Sequence, residues 1–440
     1  MMDSDSTPSP PTAAAGANNT PLLYEGERLE TSAGYPTLYK FLPSSSPTPP
    51  NSTGKKKPLI VFIPGAAHLA RIAYGGHAGY DPRNFLAYWL NEAGYDVLAI
   101  SYPLETKSDP AIVAPDYPDF RVPAWGEQAA RTTRMVLDEG KKKNENGGLG
   151  NGNGSDSDDE VILLAWSMGG KILKPFVASA RECGFHVKLF VALAATPGGI
   201  TGLRAYPRQI RRTENGYATC AGFDESFLRQ IHEQWRLEQE QDENVPAIID
   251  DEVFLREYIG YTPVRLTSWG LTYPDDSNNN NIDSASNKNT DESGFIPDEW
   301  EALRDAGPTD KDIRGYPFIG SIRPTSILDM RHTLCDSANW GMILTLKLTA
   351  DVTKALSNSH SSSPSFSSGS HSEKDTYWQQ LTHLIHSAPA EMTTETVHGT
   401  HFFFLGRTGA RETAEAIVRL IEKMERIQGQ MEELVGKLCS

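Results

Sequence analysis

The sequence predicts an α/β protein: a mostly parallel, doubly wound sheet with an inserted helical cap. Three observations carry this. Continuous β-branched apolar runs, such as Pro58-Leu59-Ile60-Val61-Phe62-Ile63, suit strands covered on both faces. Up to about residue 200 these runs alternate with helical patterns, which implies right-handed crossovers between parallel strands. The alternation then stops over 201–335 and resumes towards the C-terminus.

Taken in order, residues 1–20 are a Ser/Pro/Thr/Ala tail with no hydrophobic period and read as disordered. Strand-like runs follow at Leu22–Leu29 and Tyr35–Leu42, then a Pro/Ser/Lys linker, then the first buried strand at 58–63. Asp81-Pro82 is a helix start, with a capping carboxylate and Pro in the first turn. Phe85, Tyr88, Trp89 and Ala93 keep helical spacing, and Gly94 closes that helix. Tyr95–Ser101 is a second buried strand, Trp125–Leu137 a helix, Val161–Trp166 a third strand, Lys171–Cys183 a helix and Val187–Ala195 a fourth strand. Residues 201–335 show helical patterns at Phe223–Gln241, Asp250–Tyr258 and Pro297–Ala306, without a convincing buried strand. Gly341–Leu348 reads as a strand, Tyr377–His386 as a helix, Thr393–Val397 as the last strand, and a long helix starts near Ala410. Low-complexity tracts at 141–160, 275–293 and 357–374 fall between elements, as surface loops do. The division expected is a tail (1–20), a first core part (21–200), a cap (201–335) and a second core part (336–440).

Composition narrows the class. Over 440 residues the apolar fraction is 38%, with the deficit concentrated in the Ser/Asn/Gly/Pro tracts. A net charge of −16 argues against nucleic acid or an anionic membrane as the main partner. No run approaches the ~18 apolar residues of a membrane span. The N-terminus lacks a basic n-region and an apolar h-region, so no secretory signal is expected. Cys183, Cys220, Cys335 and Cys439 are scattered, without metal spacing, which fits a reducing compartment. The C-terminal Lys-Leu-Cys-Ser matches no prenylation box or peroxisomal signal. These features lead to the expectation of an acidic, cytoplasmic protein with no disulfide framework, metal or cofactor.

The segment that carries chemistry is Val-Ile-Leu-Leu-Ala165-Trp166-Ser167-Met168-Gly169-Gly-Lys. A buried strand runs directly into a serine, and a helix follows at once. This is the pattern of a nucleophile elbow with Ala in place of its first Gly. A serine on so sharp a turn is strained, so the residues two before and two after must be small; Ala165 and Gly169 meet that need. The alternative is an ordinary strand–turn–helix that happens to contain Ser and Gly.

In these residues the sequence resembles the α/β-hydrolase superfamily, over about 58–200 and 338–430, with the middle as a cap. The resemblance implies an acyl-transfer triad in the chain order Ser, acid, His. The histidine should follow the last strand. There His398-Gly399-Thr400-His401-Phe402 offers two candidates, and the family's Gly-x-His-apolar context favours His401. Two loop histidines, or a weak His-x-x-His metal pair without a nearby third ligand, are the other readings. The acid should follow the preceding strand. Asp351, after Leu344–Ala350, matches that placement, although Leu348 stands where the family commonly has Gly; Asp329 and Asp336 are the fallbacks. The oxyanion hole needs two backbone N–H donors, which the resemblance assigns to Met168 and to Ala66 in the loop Pro64-Gly65-Ala66-Ala67-His68.

That loop continues through His68, Arg71 and Tyr74, which either touch substrate or pack the loop. Gly406-Arg407-Thr408-Gly409 is a weak phosphate-binding candidate. The cap aromatics (Phe223, Phe227, Trp235, Tyr258, Tyr261, Trp269, Tyr273) line a substrate site or form the cap's own core. Ile417, Leu420, Met424, Ile427, Met431, Leu434 and Leu438 make a heptad seam. Its distal half is expected to meet another helix, in the cap or in a second chain as a homodimer; packing on its own sheet is the alternative.

The activity these features imply is that of a serine esterase or thioesterase acting on a small-molecule acyl substrate with a small to medium hydrophobic acyl group. A non-catalytic ligand-binding homologue, and an acyltransferase or cyclase on the same scaffold, are the competing readings.

Overall fold

The computed structural model describes residues 21–44, 57–146, 159–198, 210–220, 222–267, 271–272, 296–297, 299–360 and 371–439. Most of each low-complexity tract, the first twenty residues, Trp269 and Tyr273 lie outside these ranges.

Eight strands form one sheet: β1 (Glu27–Ser32), β2 (Tyr35–Leu42), β3 (Leu59–Ile63), β4 (Val97–Ile100), β5 (Glu160–Trp166), β6 (His186–Leu193), β7 (Phe318–Pro324) and β8 (Glu395–Val397). Their spatial order is β1-β2-β4-β3-β5-β6-β7-β8. The hairpin β1/β2 and the pair β2/β4 are antiparallel; every later pair is parallel. Helices cover both faces of the parallel part. All five residues of β3 and all four of β4 are buried, which is why these strands read as unbroken apolar runs.

The helices of the first core part are α1 (Leu86–Glu92), α2 (Val122–Asn146) and α3 (Leu173–Glu182). A 3-10 turn at Pro82–Asn84 precedes α1, and the Asp81 side chain accepts from the Arg83 N–H as expected of a cap. Gly94 closes the helix at φ +83°.

The 201–335 region holds α4 (Phe223–Gln239), α5 (Asp251–Glu257), α6 (Glu299–Ala306) and the short α7 (Asp310–Ile313). It also holds β7, an interior strand paired with β6 and β8. The absence of a strand expected here is therefore corrected: the core resumes at Phe318, and the cap boundary at 335 is too late. The second correction is α8 (Ser337–His360), a helix that contains the expected strand Gly341–Leu348. Its buried residues Trp340, Ile343, Leu344, Leu348 and Val352 recur at helical spacing, and the alternation Leu-Thr-Leu-Lys-Leu only imitates a strand. After α9 (His371–Thr393), α10 runs Arg407–Cys439.

The seam of α10 is covered within the chain. Ile417, Leu420, Met424, Ile427 and Met431 are buried, Leu434 and Leu438 pack partly on the core, and Lys437 lies over the Tyr377 ring of α9. The helix therefore spends most of its apolar stripe on its own sheet and on α8 and α9. Among the described residues no helix is long and apolar enough to cross a membrane.

Helix α4 is tied to the loop after β8. Gln234 Oε1 accepts from the Thr400 N–H at 3.0 Å. The Glu238 carboxylate accepts from Thr408 N–H at 2.9 Å and Gly409 N–H at 3.1 Å. This corrects the phosphate reading of Gly406–Gly409: the N-terminus of α10 already holds an anion, supplied by the protein's own glutamate.

Candidate active site

Ser167 stands at the junction between β5 and a 3-10 turn, Ser167–Ile172, that leads into α3. Its φ is +54°, the left-handed region that non-glycine residues rarely adopt. The neighbours explain how it is tolerated. A Cβ on Gly169 would lie 2.9 Å from Pro64 O, and one on Gly65 would lie 2.7 Å from Ser167 Cβ. Only glycine lets the loop after β3 approach the serine this closely. Tyr102 Oη donates to Gly65 O at 2.9 Å, which holds that loop. The first N–H groups of a helical turn have no partner within it, and Met168 follows Ser167 at that position. Ala66 is next to Gly65 in the apposed loop. Ala67 is committed otherwise, donating to Thr262 Oγ1 at 2.9 Å.

His401 rests on the elbow. Trp166 Nε1 donates to His401 O at 3.1 Å, and the two rings lie 5.1 Å apart. His401 Nδ1 is 2.8 Å from Asp329 Oδ2. A carboxylate can only accept, so the proton sits on Nδ1 and the Nε2 lone pair is left available. His398, the other candidate, is exposed and bonded to Thr325 Oγ1 at 2.9 Å.

The structure does not bring Asp351 to this place. Asp351 lies on α8, where both carboxylate oxygens accept from Lys347 one turn earlier, at 2.7 and 2.6 Å. It lines a groove with Glu160, His186 and Tyr316. Glu160 and His186 open β5 and β6, so this groove is at the sheet end opposite Ser167. The carboxylate at His401 belongs to Asp329, five residues after β7 ends.

Two further residues join this cluster. His332 stacks on His401 at a ring separation of 4.7 Å, and its Nε2 is 3.7 Å from Asp329 Oδ1. Its Nδ1 is 2.7 Å from Asp336 Oδ2, which also accepts from Thr196 Oγ1 at 3.2 Å. Burial lowers the His332 pKa, partly opposed by the bond to Asp336. Thr196 N–H in turn donates to Ser167 O at 2.9 Å, which links the acidic segment to the elbow. His332 lies on a π-helical segment, Arg331–Asp336, a backbone form concentrated at functional sites. No local pattern around His332 marks it in the sequence.

Arg71 and Tyr74 are not presented to a substrate. Arg71 is fully buried. Its Nε and Nη2 each donate to Glu27 at 2.7 Å, Nη1 donates to Glu257 O at 3.0 Å, and Nη2 donates also to Leu22 O at 2.7 Å. Tyr74 Oη donates to Glu27 Oε1 at 2.6 Å. Both residues bind the first strand and α5 to the loop; the substrate-contact reading is corrected to packing.

His68 lies nearer the site, fully buried among Trp166, Phe227, Phe254 and Phe402. Desolvation pushes its pKa down to about 3, so the ring is neutral. Nδ1 bonds Ala66 O at 2.7 Å, and Nε2 has no hydrogen-bond partner. Of the cap aromatics, Phe227 reaches His68 and Phe402. Tyr258 is fully buried with Oη at His77, and Trp235 Nε1 donates to Val245 O. Tyr258 and Trp235 serve packing.

The sheet order, the single antiparallel strand β2 beside β4, and a left-handed serine between the central strand and its helix define the α/β-hydrolase fold. No family model matches the chain, and no curated protein matches it. Among solved structures it is similar to a serine hydrolase from the polyaromatic-hydrocarbon-degrading bacterium Cycloclasticus zankles (9% identity, covering 76% of this chain and 98% of that one, TM-score 0.34). It is also similar to a bromoperoxidase from Bacillus anthracis (11%, 90% and 99%, 0.36) and a fungal esterase from Rhizomucor miehei (11%, 94% and 86%, 0.35). At such identities and scores, the fold assignment rests on the topology and the elbow described above.

Proposed function

We propose that this chain is a serine hydrolase in which Ser167 is the nucleophile, His401 the general base and Asp329 the orienting acid. The observation that supports it most is the Asp329–His401 bond set against an elbow that holds Ser167 at φ +54°. In this reading His401 Nε2 takes the Ser167 hydroxyl proton as Oγ attacks a carbonyl. The tetrahedral oxyanion is met by the N–H groups of Met168 and Ala66. Collapse expels the leaving group, which takes the proton back from His401. Water then attacks the acyl-enzyme by the same route. Asp329 keeps the imidazole in the tautomer that leaves Nε2 free and stabilises its cationic form.

The substrate class proposed is an ester or thioester with a small to medium hydrophobic acyl group. The partly exposed Ala66 and Phe227, packed beside His68 and Phe402, support it, because an apolar surround favours an uncharged acyl chain. Helix α4, bonded to the loop that carries His401, belongs to a cap that excludes water from the acyl-enzyme. A screen of p-nitrophenyl esters and acyl thioesters from two to twelve carbons tests this. Turnover that vanishes in Ser167→Ala is expected. Turnover equal in wild type and Ser167→Ala, or binding of the esters without turnover, would replace it with a non-catalytic binding role; product formed only with an added alcohol or amine would make it an acyltransferase.

A further inference from the structure

We propose that Asp329, His332 and His401 form a binding site for a divalent transition-metal ion of the zinc type, and that its occupation switches off the base for Ser167. The switching part rests on the hydrolase reading above; the binding part does not.

The donor atoms of these three residues all lie within 4.8 Å of one another. A tetrahedral zinc ion with bonds of ~2.0–2.1 Å has ligand–ligand edges of roughly 3.3 Å. His401 Nδ1 is 2.8 Å from Asp329 Oδ2 and His332 Nε2 is 3.7 Å from Asp329 Oδ1, so each imidazole approaches one oxygen of the carboxylate at a separation near that value. Two imidazoles and one carboxylate make a donor set of the open, three-protein-ligand kind, with the fourth position left for water. The nitrogen donors disfavour magnesium and calcium, which take oxygen.

Asp336 is buried and accepts from His332 Nδ1 at 2.7 Å. The only proton of a neutral imidazole is therefore on Nδ1, and the Nε2 lone pair faces the Asp329 carboxylate. The Nε2 edge of His332 and the Asp329 carboxylate thus face one another at 3.7 Å, a separation at which both can hold a cation placed between them. A carboxylate behind the far nitrogen is also the arrangement that orients and strengthens a metal-binding histidine. Thr196, bonded to Asp336 at 3.2 Å, holds that carboxylate in place.

The consequence for His401 follows from its single proton. Metal coordination takes the Nδ1 lone pair, so the proton moves from Nδ1 to Nε2. Nε2 then carries a hydrogen and can no longer accept one from Ser167. Asp329, now a ligand, no longer supports an imidazolium. The metal ion and the hydrolysis of substrate thus compete for the same nitrogen, and the enzyme is active without metal.

The test uses the full chain after chelator treatment. Calorimetric titration with zinc chloride is expected to show one equivalent bound, in wild type and equally in Ser167→Ala. Cobalt(II) should give the visible absorption of a tetrahedral ion. His332→Ala should weaken binding by more than 100-fold, and Asp336→Asn by about 10–100-fold, the range for an outer-sphere carboxylate; circular dichroism checks that both are folded. Labelling of wild type by a fluorophosphonate should slow with zinc and recover with chelator, while labelling of His332→Ala, whatever its own rate, should be the same with and without zinc. No zinc uptake by wild type, or undiminished affinity in both folded variants, would overturn the proposal. Zinc uptake that His332→Ala abolishes, in a protein that never labels, would keep the site and discard the hydrolase reading.

Discussion

The Glu27–Arg71 cluster is buried and the Asp329–His332–His401 cluster partly buried, and these two groups of ionisable side chains are built on different plans. Glu27 accepts from four donors: Tyr24 N–H, Arg71 Nε, Arg71 Nη2 and Tyr74 Oη. A carboxylate has about four acceptor sites, so it is saturated. Arg71 uses four of its five N–H donors in hydrogen bonds, with Tyr24 stacked 3.8 Å above it. Nothing in that cluster can move a proton or receive a ligand; it fastens β1 and α5 to the loop after β3. The Asp329 cluster leaves two imidazole lone pairs uncommitted, one on His401 and one on His332. Saturation marks a structural ion pair, and an incomplete set of partners marks a group held ready for chemistry.

This contrast predicts a double dissociation between rate and stability. The largest effect belongs to His401→Ala, which should lower kcat by about 10⁴–10⁶ with little change in melting temperature. Asp329→Asn comes next, at about 10⁴ in kcat, because an amide can donate to Nδ1 and stabilise the wrong tautomer. Glu27→Gln should do the reverse. Leaving Arg71 charged and unpaired in the interior should cost about 3–5 kcal/mol, read as a lower denaturant midpoint, while kcat per folded molecule stays within about a factor of three. His398→Ala and Asp351→Asn should be the mildest. Both groups are on the surface or in a partly exposed intrahelical pair, where such pairs are worth about 0.5 kcal/mol; neither should move kcat by more than about twofold. A rate loss in Asp351→Asn equal to that of Asp329→Asn would put the acid back on α8.

How much of this was legible in the sequence follows the range of each signal. Ser167 is announced by its own neighbours, a buried strand before it and small residues on either side. The context of His401 is equally local. The acid is not, because its position is defined by a strand that the sequence disguises. Phe318–Pro324 carries Gly320, Ser321 and Arg323, which break the apolar run. Gly320 is there because a Cβ would come within 2.9 Å of Leu420 on α10, a demand set by a residue a hundred positions away. Once β7 is missed, Leu344–Leu348 becomes the nearest imitation of a strand, and Asp351 inherits the place beside His401 that Asp329 occupies. Arg71 and Tyr74 look available for the same reason: their partner Glu27 is distant in sequence, and the loop alone does not show that their polar groups are engaged.

The most direct measurement is the mass-mapped site of covalent modification by a fluorophosphonate on the metal-free wild-type protein. The account predicts a single adduct, on Ser167, formed rapidly in wild type, formed orders of magnitude more slowly in His401→Ala and Asp329→Asn, and formed at the wild-type rate in Asp351→Asn. An adduct on another residue, or a folded wild-type protein that takes none, would contradict it.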